Sequence, residues 1–107
     1  GTELLKLLYQ FLRALLRPAL PNRLVRRVFE LKSMVINGEY TQDPPVPVSD
    51  SCHYAWEYVI CSPSESLYQF VLKEEVLKEF EFVVEKSRRY FVRHEFRSLE
   101  ILETLTA

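Results

Sequence analysis

Two histidines and two cysteines are the residues of this 107-residue chain with the most to offer metal or nucleophile chemistry, and their spacing suits neither. Cys52 and His53 are adjacent, so on a helix they point about 100° apart and converge badly on one ion. Cys61 and His94 are remote in sequence, and no Cys-x-x-Cys pair exists to begin a four-ligand zinc site. Both cysteines therefore read as small core hydrophobes, and both histidines as surface or boundary residues. No nucleophile or acid–base motif is present, and two glycines make no phosphate loop. The expectation is no enzyme, no metal and no cofactor. The row Tyr54, Trp56, Tyr58 could stack exposed bases, but aromatics at helical spacing more often fill a core or a partner surface.

Charge is laid out more informatively. From Arg13 to Arg27 there are five arginines (Arg13, Arg17, Arg23, Arg26, Arg27) and no acid. From Ser33 to Leu72 there is no Lys or Arg, while Glu39, Asp43, Asp50, Glu57 and Glu65 accumulate. If the helices carrying the arginines are antiparallel, all five converge at one end of the bundle as an anion or partner site. Arg13 and Arg17 suit a helix C-terminus, but Arg23, Arg26 and Arg27 oppose the dipole of the helix they begin. Either an outside anion or the acids of a later helix must offset that. A second basic surface, Lys86, Arg88, Arg89 and Arg93, reads as cations placed near a helix C-terminus.

The elements must position these charges. The length allows one domain with one core, 48% hydrophobic and 27% charged residues are an ordinary globular balance, and few glycines argue against a β-sandwich. A net charge of -1 leaves nucleic-acid binding to a local patch. The Leu-rich opening, broken by Lys6, Gln10 and Arg13, is too polar and too short to span a bilayer. Two cysteines with no secretory signal favour a reducing cytoplasm. Gly1, with no Met before it, reads as a cleavage scar on a fragment of a longer chain.

The periodicity predicts an all-α bundle of about five helices with a Pro-rich connector, near residues 2–17, 22–37, 49–61, 73–93 and 98–105. The first buries a stripe of Leu4, Leu5, Leu8, Phe11, Leu12 and Leu15. The second is the centre: Asn22 caps it, Asn37-Gly38 ends it, and Leu24, Val28, Leu31 and Val35 repeat along it. Pro44, Pro45 and Pro47 force the next link toward an extended path. Residues 49–61 also alternate like a strand, but Ser49, Asp50 and Ser51 offer caps and strand partners are scarce, which decides for helix. Ser62-Pro63-Ser64-Glu65 reads as a capping box before a short turn. Glu74–Lys78 and Glu85–Arg89 are favourable pairs on the longest helix, and Ser98 caps the last. The core should include Leu24, Val28, Leu31, Val35, Trp56, Phe80 and Val84.

Several stretches taken together resemble one family. Val28-Phe29-Glu30-Leu31-Lys32, then Asn37-Gly38-Glu39-Tyr40, is similar to the segment leading into the cysteine-rich module of the RecO recombination mediators. Leu67-Tyr68-Gln69-Phe70 is also similar to that family. So is the ending, Arg88-Arg89-Tyr90 followed by Phe96-Arg97-Ser98-Leu99-Glu100-Ile101-Leu102. The resemblance implies the C-terminal helical domain of a DNA repair protein whose N-terminal OB-fold is absent from this chain. It implies a cytoplasmic, nucleoid-associated mediator that anneals strands and, with RecR, loads RecA onto single-stranded DNA coated by single-strand-binding protein. The helical domain would dock that protein's acidic, hydrophobic-tipped tail. Many members carry four zinc-binding cysteines after the glycine equivalent to Gly38. Here Glu39 to Ser51 holds none, so the zinc module looks deleted. A different class remains open, a helix-turn-helix regulator with the arginine-headed second helix in a major groove. Exposure of Val25, Phe29 and Ile36 would favour it.

Overall fold

The computed structural model describes residues 1–106, with side chains described for residues 1–93 and 103–105. It is all-helical, with five helices and no strand among the described residues. Four are α-helices: α1 (Thr2–Leu15), α2 (Asn22–Ile36), α3 (Asp50–Cys61) and α4 (Glu74–Thr106). The fifth is one turn of 3-10 helix, Ser64–Ser66.

The helix ends show which punctuation acts. Pro21, not Asn22, occupies the N-cap of α2, and Asn22 is its first helical residue, with no side-chain cap. Proline takes the extended cap conformation readily and has no N–H to leave unsatisfied. At the other end Asn37 is the C-cap, and Gly38 follows at φ +75°, the left-handed turn that a Cβ would strain. Ser49 caps α3 as expected, its hydroxyl accepting from the Cys52 N–H at 3.2 Å. The strand alternative for 49–61 is thereby replaced by helix. The turn after Pro63 forms, but without a side-chain cap, so the capping box is not made.

α4 is one continuous helix of 33 residues where two were expected. Between Glu74 and Thr106 the sequence holds neither glycine nor proline, so a serine at position 98 is no reason to stop. At about 1.5 Å per residue such a helix is about 50 Å long, matching the 52 Å long axis of the molecule. Of the apolar residues expected to line a separate last helix, Leu99, Ile101 and Leu102 have side chains outside the described ones, and Leu105 is exposed.

The core forms where α2 meets the other helices. Leu24, Val25, Val28 and Leu31 of α2 pack with Trp56 and Val59 of α3 and with Leu77, Phe80, Val83 and Val84 of α4, all buried. Val35, expected in the core, is only half-buried, although Met34 and Ile36 on either side of it pack against the core. Cys52 is buried as expected, whereas Cys61, at the end of α3, is exposed. Burial pushes the Cys52 thiol up to about 12, so it is an inert core group. Lys32 is buried too, and its ammonium donates to the Val59 and Ile60 carbonyls, 3.2 Å each, where the C-terminus of α3 presents acceptors. Burial holds its pKa below the ordinary lysine value.

The largest departure is in α1. Leu7 and Ala14 face the core and Phe11 and Leu15 pack half-buried against it. Leu4, Leu5, Leu8 and Leu12, expected inside, are exposed. Among the described helices it packs on α2 and the Ser64–Ser66 turn, so its apolar girth exceeds the surface it is given to cover.

Candidate functional site

The five arginines separate into two groups. Arg13 lies 5.6 Å from the Tyr9 ring, and Arg17 donates to the Tyr68 carbonyl at 2.8 Å. With Gln10, Glu65, Tyr68 and Gln69 they line a cleft of about 430 Å³ against the segment after α3. Arg23 and Arg27 instead face α4. Arg23 pairs with Glu74 (2.8 Å) and Glu81, and Arg27 with Glu85 (2.7 Å) and, in its own helix, Glu30 (2.8 Å). The partners advance together along both helices, so α2 and α4 run in the same direction. The acids of α4 therefore supply the negative charge that the first turns of α2 require. Arg26, between them, is exposed.

Glu85 is the hub of this network. It accepts from Arg88 (2.6 Å), Arg27 (2.7 Å) and Arg89 (3.1 Å). Those bonds, with Arg88 first and Arg27 second, outweigh its partial burial and hold its carboxyl at about 2. The expected Glu85–Arg89 pair is present, while Glu74 turns away from Lys78 to meet Arg23.

The adjoining flank of α4 is different. Lys78, Phe82, Lys86, Arg89, Tyr90 and Arg93 recur at spacings of three or four and so share one face of the helix. With Arg27, Glu81 and Glu85 they line an open groove of about 650 Å³. Phe82 and Tyr90 are 62% and 64% exposed, far more than a large ring needs to be in a finished core. The Lys86 ammonium sits 5.9 Å from the centre of the Phe82 ring. Five cations meet two carboxylates there, and both carboxylates already accept from arginine. The groove is thus net positive with an apolar floor.

Three of the four residues of the second basic surface, Lys86, Arg89 and Arg93, line this groove; Arg88 lies on the α2 side with Arg23 and Arg26. The helix-end explanation for these cations fails, because α4 continues to Thr106 and the dipole acts only within about one turn of an end. Lys78, Phe82 and Tyr90 were missed as site residues, although their four-residue spacing with Lys86 was readable.

Two further sites are weaker. His53 lies between Asp43 (Nε2 to Oδ1, 3.4 Å) and Glu57 (Nδ1 to Oε1, 3.5 Å), which ties the proline-bridged loop to α3 at the surface. Their potential ligand atoms lie within 4.8 Å of one another, a grouping that sequence adjacency of Cys52 and His53 did not suggest. The row Tyr54, Trp56, Tyr58 is no stacking platform. Trp56 is buried with its Nε1 donating to the Thr41 carbonyl at 3.1 Å, and the Tyr58 hydroxyl donates to the Ser66 carbonyl at 2.6 Å. Tyr54 and Tyr58 with Phe70, Val71 and Leu72 form an apolar groove of about 380 Å³ whose charged residue is Asp50.

No family model, no curated protein and no solved structure matches the chain.

Proposed function

We propose that this chain is the helical interaction domain of a RecO-like recombination mediator, a non-catalytic platform that docks the acidic, hydrophobic-tipped tail of single-strand-binding protein. The carrying observation is the α4 groove, where lysines and arginines surround two exposed aromatic rings. A carboxylate-rich peptide ending in an aromatic residue needs that combination, charge to orient it and an apolar floor for its tip. The resembling stretches also fall on coherent parts of the fold: 28–32 on α2, 37–40 across its glycine cap, 67–70 after the 3-10 turn and 88–90 on the groove helix. In the full-length protein this surface would act beside RecR and single-stranded DNA during strand annealing and RecA loading. Among the described residues no helix is long and apolar enough to cross a membrane.

The helix-turn-helix reading has less support. Val25 is buried, and Phe29 and Ile36 are packed against the core, so α2 has too little free surface to enter a groove of DNA.

The test is titration of an acidic, Phe-ended peptide against the wild-type chain and a Lys86→Ala/Arg93→Ala variant. Binding should weaken by about tenfold or more in the variant, and also when the terminal Phe is removed from the peptide. Equal binding by both folded proteins rejects the groove. A steep salt dependence with no need for the aromatic tip would point to phosphates as the ligand instead.

A further inference from the structure

The outer face of α1 is a broad apolar surface left uncovered among the described residues. Leu4, Leu5, Leu8, Tyr9, Leu12 and Leu16 are 41%, 68%, 41%, 59%, 53% and 83% exposed. At 100° per residue they fall within an arc of about 140° on one side of the helix, with Leu5, Leu8, Leu12 and Leu16 forming a continuous ridge. Together they present roughly 600 Å² of side-chain surface, at the upper limit of the patches that monomers expose. The adjoining side of α1, through Leu7 and Ala14, is already buried in the core. The apolar arc of this helix is therefore wider than the core covers, and its outer part has no partner among the described residues.

We propose that this face is a homodimer interface, in which α1 of one copy packs on α1 of a second. Two observations select a second copy as the occupant. First, no residue of the arc is charged; Arg13 borders only its Tyr9 edge, 5.6 Å from that ring, and Lys6, further round, is 3.7 Å from Glu3. Two identical faces can therefore meet along the Leu5, Leu8, Leu12 and Leu16 ridge without like-charge repulsion, and that ridge offers no charged group to an acidic or basic ligand. Second, two copies would bury about 1,200 Å², which reaches the lower bound of specific protein–protein interfaces from these six side chains alone. The ridge spacing of three and four residues lets two such helices interlock along the whole of α1. The α4 groove is not needed for this contact, so dimerisation and peptide docking are separable.

Sedimentation velocity of the full chain over a wide concentration range tests the proposal. The wild type should pass reversibly from monomer to dimer. Leu5→Glu/Leu12→Glu should associate at least about a hundredfold more weakly, because each copy then brings two charges to the contact. Leu8→Gln/Leu16→Gln, which adds no charge, should weaken it in the same direction. Circular dichroism should show unchanged helicity in both, since every substituted side chain is exposed in the monomer. A wild type that stays monomeric overturns the proposal, as does a dimer that persists in the two variants. A monomer that binds zwitterionic vesicles through Leu5 and Leu12 would also overturn it and assign the face to a lipid surface.

Discussion

Phe80 and Phe82 stand two residues apart on the same helix and have opposite fates. Phe80 is fully buried against α2 and α3, whereas the Phe82 ring is mostly in solvent under the Lys86 ammonium. The same division runs along α4. Its inner flank carries Glu74, Glu81 and Glu85, which answer the arginines of α2, and its outer flank carries Lys78, Lys86 and Arg93 around two rings. The inner flank is complete within the chain. The outer flank instead leaves two large rings mostly exposed among cations, and that difference, more than the charge count, distinguishes the two flanks.

The contrast is sharpest in stability. Phe80→Ala should lower the unfolding free energy by about 3–5 kcal/mol, and Phe82→Ala by no more than about 0.5 kcal/mol. Chemical denaturation of both variants checks this, and similar losses would mean that the outer ring is part of the core. Peptide affinity should reverse the order of the two residues, with Phe82→Ala binding more weakly while remaining fully folded. Leu31→Ala, at the fully buried centre of α2, should cost about 2–5 kcal/mol. An unchanged melting temperature would remove α2 from the centre of the fold.

The charged flanks should differ more modestly. Arg27 is 23% exposed at its side chain and pairs with Glu30, Glu85 and, at 3.9 Å, Glu81, so Arg27→Ala should cost about 1 kcal/mol. Lys78→Ala, on the outer flank, should change thermal stability by no more than about 0.5 kcal/mol. Acid titration separates the flanks as well. The Glu85 carboxyl is held at about 2 in the folded chain, below the value of about 4.3 it takes when unfolded. Its contribution is therefore complete above about pH 4.3 and lost as pH falls toward 2. Melting temperature followed over that window should fall less steeply in Glu85→Gln than in the wild type. Parallel curves would mean that Glu85 is not the hub of the inner network.

Much of the fold was legible because its signals were local. Ser49 capping α3, Gly38 closing α2 and the i, i+3, i+4 apolar positions of α2 and α4 all depend on neighbours a few residues away. The α1 face was not legible for a physical reason. Leucines cover more than half its circumference, so periodicity alone cannot say which arc meets the core, and the arc actually buried is centred on Leu7 and Ala14. For the arginines the sequence left two answers open, an outside anion or the acids of a later helix, and for Arg23 and Arg27 the second holds. That Arg23 and Arg27 would meet acids some 50 to 60 residues later depends on α2 and α4 lying side by side in the same direction. The outer flank was half-read: Lys86, Arg89 and Arg93 were singled out, but a helix end expected near residue 93 supplied a false reason for them. With α4 running on to Thr106 that reason disappears, and their association with Phe82 and Tyr90 becomes the feature to explain.

The most direct measurement is residue-resolved NMR of the full chain during titration with an acidic, Phe-ended peptide. The outer flank of α4 as a docking surface predicts the largest shift changes at Lys78, Phe82, Lys86 and Tyr90. Changes should be small at Arg13 and Arg17 and at Tyr54 and Val71, beside the other two grooves. Largest changes at Arg13 and Arg17, or at Tyr54 and Val71, or none at saturating peptide, would contradict the assignment of this flank.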